Sequence, residues 1–199
     1  MIIAALVLAV IVGYIRGGTL KKIIRLNFPY FFLVIIALII QLNINILMKI
    51  VDFGFLAYLL LLVSYLLLIG AVWFNRKNEF LFLVLIGLLL NFLVIALNSG
   101  MPVSYGAAKI LGFESGDYLN RLAVDYKHIA MLSTTKLRYF AAIIPLSKPF
   151  PLPGIYSVGD VFISIGTFLF VQNYITYSGK HRKEGKRSKT DVGHWMLDI

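Results

Sequence analysis

The chain contains no cysteine in its 199 residues. That excludes a disulfide framework, a thiol nucleophile and a thiolate metal site, and it leaves the redox compartment open. Charge is also scarce. Charged residues make up 14% of the sequence, against about a quarter in an ordinary soluble domain. With nine acidic residues and three histidines, no group shows metal-ligand spacing, and no cofactor is expected. His181 and His194 stand apart from His128, in the basic C-terminal stretch.

Apolar side chains take the place of charge, at 60% of the residues and a mean hydropathy of +0.87. They arrive in runs too long for a soluble core. A helix needs about 20 residues to cross a hydrocarbon layer of about 30 Å. Phe28–Met48, Phe53–Phe74, Phe80–Leu97 and Ile155–Tyr177 meet that length, each bounded by charge, Pro or Gly. Ile2–Ile15 is shorter and reaches a span only if Arg16 snorkels and the helix runs on through Gly17 and Gly18. No basic residue precedes it, so it reads as a retained span rather than a signal peptide. The sequence thus predicts an all-α membrane protein, a bundle of about five transmembrane helices, with an outward-facing helical cap between the fourth and fifth. Residues 1–177 form the bundle, including the outward segment 98–154, and 178–199 form a basic cytoplasmic tail expected to be disordered.

Lys and Arg exceed Asp and Glu by ten. Nucleic acid is one partner for such a balance, but in a membrane protein basic residues flank the cytoplasmic ends of spans and meet anionic headgroups. Alternate connections sort accordingly. Arg16, Lys21, Lys22 and Arg25, then Arg76 and Lys77, then six residues of the tail from Lys180 to Lys189 fall on one side. Lys49 and six residues spread over 98–154 fall on the other. The N-terminus is therefore expected outside, and the C-terminus in the cytoplasm.

The connection 98–154 is too long and too patterned for a plain loop. Gly100 and Pro102 end the fourth span, and Ser104 is placed to cap a short helix over Tyr105–Leu111. A second helix is expected from Asp117, as N-cap, to about Leu132. Leu119, Leu122, Tyr126 and Ile129 would form its apolar face, and Asp117, Arg121, Asp125 and His128 another. Leu137–Ile144 is a further apolar stretch, and four prolines from Pro145 to Pro153 give an extended lead into the last span.

Three residues could carry acid/base chemistry. Asp125 and His128, three apart, could form an oriented carboxylate–imidazole pair; a salt-bridged solvated face is the simpler reading. Asp160 is the one carboxylate in a span, which makes it a functional candidate, though Ser157-Val-Gly-Asp160 also fits a capping box. Asn91 and Asn98, seven apart on one helical face, suit interhelical hydrogen bonds. Together with Ser104, Arg121, Lys136 and Arg138 they complete a set of candidate ligand-binding residues. Gln41, Asn43 and Asn45 can simply face headgroups. Gly13 and Gly17 stand at GxxxG spacing.

Gly13-Tyr-Ile-Arg-Gly-Gly18, Asn98-Ser-Gly-Met-Pro-Val-Ser104, His128, Thr134-Thr-Lys-Leu137 and Tyr156-Ser-Val-Gly-Asp160-Val-Phe together resemble a family of small bacterial multi-pass membrane proteins of unknown function, found especially in Gram-positive lineages. The family pattern has an acidic residue after Thr134-Thr-Lys-Leu137, where this chain reads Tyr139-Phe-Ala-Ala. The resemblance implies a bacterial cytoplasmic membrane and brings no activity with it.

Three functions are compatible with this reading. The first is a non-enzymatic module whose cap binds a partner protein, a lipid headgroup or a small ligand. The second is an enzyme acting on a lipid-linked substrate at the outer leaflet, and the third is a small-solute transporter. An odd span count without internal repeats argues against the third. Expected partners are membrane lipids, a protein partner or a second copy through the cap or the spans, and no nucleic acid.

Because cysteine is absent, the orientation is directly testable. A Cys replacing Ser115 should react with an impermeant thiol reagent in intact cells, and one replacing Ser188 should not. The reverse labelling pattern would overturn the charge-derived topology.

Overall fold

The computed structural model describes residues 1–19, 28–51 and 54–176. The Lys21–Arg25 cluster, Phe53 at the expected start of the third span, and the tail after Thr176 lie outside the described residues. Among the described residues seven α-helices dominate. Four of them are long and apolar enough to cross a membrane: α2 (Phe31–Val51), α3 (Gly54–Phe74), α4 (Leu81–Asn98) and α7 (Val158–Thr176). α1 (Ile2–Ile15) is a shorter apolar helix. The long helices pack in a row, α2 on α3, α3 on α4 and α4 on α7, and α1 lies against the far side of α7.

Between α4 and α7 the segment carries the short helices α5 (Tyr105–Ile110) and α6 (Ser115–Ala123). It also carries four short strands, which corrects the expectation of a purely helical cap. These are β1 (Met101–Val103), β2 (His128–Ala130), β3 (Ala142–Leu146) and β4 (Gly154–Ser157), in the order β2-β1-β3-β4. β1 runs parallel to both its neighbours, and β4 closes the sheet antiparallel to β3. Pro102 is tolerated in this inner strand for a geometric reason. Met101 and Val103 make the bonds to β2, at 2.9 Å each. The missing N–H of Pro102 faces β3, which pairs with β1 at Val103 opposite Ala142, with Ser104 donating to the Ala142 carbonyl.

The expected helix from Asp117 to Leu132 ends at Ala123 instead. The reason lies in the side chains that follow. The Asp125 carboxylate accepts the Lys127 N–H at 3.0 Å in an Asx turn. Asn45 of α2 accepts the Tyr126 N–H at 3.3 Å. Two donors that a longer helix would use are thus taken by side chains, and the next residues pair with β1. Asp117 is not the N-cap, a position that falls to Glu114. Leu119 is exposed, whereas Tyr118 is buried and donates its hydroxyl to the Val103 carbonyl at 2.6 Å. Ser104 caps α5 as the spacing predicts, accepting the Ala107 N–H.

The cap is not a separate body. Ile44 and Met48 of α2, Leu61 of α3, Val94 and Ile95 of α4, Val103 of β1 and Tyr118 of α6 belong to one continuous apolar core. The last long helix begins three residues later than the sequence suggests, because Ile155–Ser157 belong to β4.

The α4–α7 crossing is the tightest contact between the long helices. A methyl group on Gly87 would strike the Gly159 carbonyl and Ile163, and one on Gly159 would strike Asn91 and the Gly87 carbonyl. Gly166 faces Val84 in the same way. At the other side of α7, Gly13 and Gly18 receive Ile175. Gly17, the second member of the GxxxG spacing, has φ of +74° and no neighbour within 4 Å, so it serves as a turn residue and not as a packing notch.

Gly87→Ala is therefore expected to lower the stability of the purified protein by about 1–3 kcal/mol. Gly70→Ala, at a helical glycine with open space around it, should be neutral or slightly stabilising. Thermal melts in detergent that rank the two variants equally would contradict the close crossing.

Candidate functional site

The cap encloses a cavity of about 460 Å³, within the range of small-molecule sites of roughly 300–1,000 Å³. Its apolar wall comes from Leu111 and Phe113 after α5, Leu122 of α6 and Ile155 of β4. Its polar lining holds Arg121, Lys148, Ser147, Asp125 and His128. The turn after α6 supplies the last two. His128 Nδ1 lies 2.6 Å from Asp125 Oδ2, with the side chains 38% and 28% exposed respectively. The pair therefore forms across a turn and not along a helix face, and it lines a cavity that is open to solvent. The Asp125 Oδ1 atom also accepts from Asn45 Nδ2 at 3.4 Å, and Lys127 Nζ reaches the Gln41 carbonyl at 3.4 Å. These contacts dock the turn onto α2. Of the three amides near that end of α2, only Asn43 makes no contact beyond its own helix; Gln41 donates to Ser64 Oγ at 3.0 Å.

Partial burial pushes the Asp125 carboxyl up. The hydrogen bond and charge of His128 and the Lys127 N–H outweigh that effect and hold it down at about 2. With Nδ1–H donating to the carboxylate, the imidazole keeps Nε2 for another partner. Arg121 is exposed and stands 4.5 Å over the Phe113 ring, which fixes the guanidinium plane beside the cavity.

A second polar cluster lies where β4 becomes α7. Ser157 Oγ accepts the Asp160 N–H at 2.9 Å, and the Asp160 carboxylate accepts the Ser157 N–H at 2.9 Å. This is the capping box expected from the sequence. It does not stand alone. Asn91 is wholly buried; it donates to Asp160 Oδ1 at 2.9 Å and accepts from Ser157 Oγ at 2.7 Å. The Asn91 amide thus bonds both side chains, while Ser157 and Asp160 each accept the other's backbone N–H.

The other candidates are not brought to either place. Asn98 closes a reciprocal bond with the Lys136 backbone, at 2.9 and 3.0 Å. The Lys136 and Arg138 side chains are exposed, and neither lines the cap cavity. Ser104 serves its helix cap. Among the described residues no three His, Asp or Glu side chains gather as metal ligands. Sequence reasoning missed Lys148, Ser147 and Phe113 on the cap and Tyr65 and Gln41 among the spans. The cap residues sit on loops whose meeting point depends on the sheet. Gln41 and Ser64, by contrast, are polar residues in apolar runs, and that pairing was a usable signal.

The sequence profile of a family of unknown function, DUF5317, matches residues 24–172. The chain belongs to this family. The match spans α2 to most of α7, and so includes both polar clusters of this DUF5317 member. No curated protein and no solved structure matches the chain.

The Asp125–His128 pair makes a pH-dependent contribution. Because the folded carboxyl titrates near 2, against about 3.9 in an unfolded chain, its stabilisation is complete above about pH 4 and is lost as the pH falls through about 2. Asp125→Asn should cost on the order of 1–2 kcal/mol at neutral pH. The gap between variant and parent should close from pH 4 downward. A gap that persists unchanged at pH 2.5 would refute the assigned pairing.

Proposed function

We propose that this integral membrane protein is a binding module whose cap takes an acidic, partly apolar ligand. The observation that carries this reading is the composition of the cap cavity. Two fixed cations, Arg121 and Lys148, line it together with His128, and its single carboxylate is already engaged by that histidine. An anion entering beside Arg121 and Lys148 gains charge-assisted hydrogen bonds. Leu111, Phe113, Leu122 and Ile155 offer apolar surface to the rest of the molecule. By the charge distribution of the connections, the cap lies on the outer face of a bacterial cytoplasmic membrane. A phosphate or carboxylate carried on a lipid, or on a small amphiphile from outside, has the chemistry that fits.

A second reading is favoured by one distance. The 2.6 Å contact between His128 and Asp125 orients an imidazole as a general base must be oriented, and Ser147 lines the same cavity. No hydrogen bond joins Ser147 to His128, so the geometry is that of a binding site with a polarised histidine more than of an assembled nucleophile.

Binding of dioctanoyl phosphatidic acid to protein in nanodiscs separates these accounts. Arg121→Ala and Lys148→Ala should each weaken binding by about ten-fold, near 1.4 kcal/mol. His128→Ala should weaken it less. Affinity unaffected by both cation removals would defeat the binding proposal. Slow phosphate release from the probe, abolished by His128→Ala, would transfer support to the enzyme reading.

A further inference from the structure

A larger cavity, of about 530 Å³, runs through the helical part of the molecule. All five apolar helices contribute to its walls. Most of its length is hydrocarbon, from Leu38 and Val34 of α2 down to Phe31 and Phe170. One end is different. Gln41, Tyr65, Tyr156 and Asp160 face it together, and the Asn91–Ser157 network stands behind Asp160. Asn91 is seven residues from the end of α4, so this polar end lies about 10 Å below the cap-side helix terminus.

At that end the carboxylate is held directly by neutral donors alone. Asp160 is the one carboxylate in the apolar helices, and the hydrogen bonds it accepts come from the neutral Asn91 amide and the Ser157 N–H. The one ion pair among the described residues is that of Asp125 and His128, so Asp160 has no cation within 4 Å. Its cationic neighbour is the Met1 ammonium, which lines the same cavity and interacts with the Asp160 charge from beyond that distance. Gln41 uses one of its two amide hydrogens on Ser64, and its amide oxygen is a further acceptor. Two tyrosine rings flank the group. A carboxylate, an amide oxygen and aromatic faces in low-dielectric surroundings select a cation that can donate several hydrogen bonds.

We infer that this cavity holds one membrane lipid with a protonated primary amine, its ammonium set among Asp160, Gln41, Tyr65 and Tyr156 and its chain lying along α2 toward Phe31 and Phe170. Charge complementarity decides the headgroup, and the hydrocarbon walls decide that it arrives on a lipid. The site is distinct from the cap cavity. Ile155 of β4 faces the cap cavity and Tyr156, the next residue, faces this one, as alternation along a strand requires. The two are lined by opposite charge, Arg121 and Lys148 in the one and Asp160 in the other.

The test is native mass spectrometry of the full chain taken from vesicles holding equal parts of phosphatidylethanolamine, phosphatidylglycerol and phosphatidylcholine. Phosphatidylethanolamine should be retained by about ten-fold over either competitor. Successive N-methylation of that headgroup should erode the preference stepwise, a measurement that needs no protein variant. Asp160→Asn should abolish the preference. Leu38→Trp, which fills the hydrocarbon part and leaves the polar end intact, should reduce retention of all three lipids. The comparison is made with Arg121→Ala and Lys148→Ala both in place, so that the cap no longer holds anionic lipid and failure of the cap site and failure of this one read separately. Equal retention of the three lipids, a preference for phosphatidylglycerol, or a preference insensitive to both N-methylation and Asp160→Asn would overturn the proposal.

Discussion

The constraint on which the structure depends is the hydrogen bonding of a helix that starts below the end of its neighbour, among apolar side chains. The first N–H groups of any helix have no partner within it, and in hydrocarbon each one left bare costs several kcal/mol. α7 begins about 10 Å below the cap-side end of its neighbour α4. Its first turn therefore cannot be left to water. Ser157 and Asp160 answer part of the demand, and Asn91, reaching across from α4, locks both. The glycines around this point follow from the same need. Only with hydrogen atoms at positions 87 and 159 can the two backbones come close enough for one amide side chain to reach the start of the other helix. The polar triad and the glycine crossing are one device, in which small residues permit the approach and polar residues make it specific.

Sinking the start of α7 has an architectural result. The residues just before it, Gly154–Ser157, are extended at a depth where an open strand edge would be untenable. β4 is paired with β3, β3 with β1, and β1 with β2. The sheet thus lies among the helix ends, and one apolar core runs from α2 into the cap. The Asp125–His128 pair owes its position to this arrangement, since Asn45 on α2 and the β1–β2 pairing together fix the turn that presents it.

The helical spans were legible in the sequence because their signal is local: long apolar runs bounded by charge, Pro or Gly. The Ser104 cap and the Ser157–Asp160 box were legible for the same reason, each being a four-residue pattern. The sheet was not. Its strands are three to five residues long, and β1 contains a proline, which by local rules argues against an inner strand. What makes Met101–Val103 a strand is the arrival of Lys127–Met131 and Ala142 from far along the chain. The helix drawn through Asp125 failed on the same ground. The chain is helical up to Ala123, with Tyr118 and not Leu119 facing inward, and the Asn45 side chain, some eighty residues earlier, then captures the backbone. The partnership of Asp125 and His128 survived that error because residues three apart can meet in a turn as well as in a helix. Lys148 entered the cavity by way of the β3–β4 hairpin, for which periodicity offers no guide.

The order in which the chain is made gives the α4–α7 triad a temporal meaning. Asn91 leaves the ribosome well before Ser157 and Asp160, and until they follow, its amide group has no partner from the last helix. β1 is likewise made before either of its neighbours, β2 and β3. Insertion of the final helix thus completes the hydrogen bonds of the fourth and closes the sheet in a single event. A chain truncated before Gly154 would carry most of the apolar spans of the finished protein while exposing a buried amide and an unpaired strand edge, the kind of surface by which membrane quality control can tell an incomplete protein from a complete one.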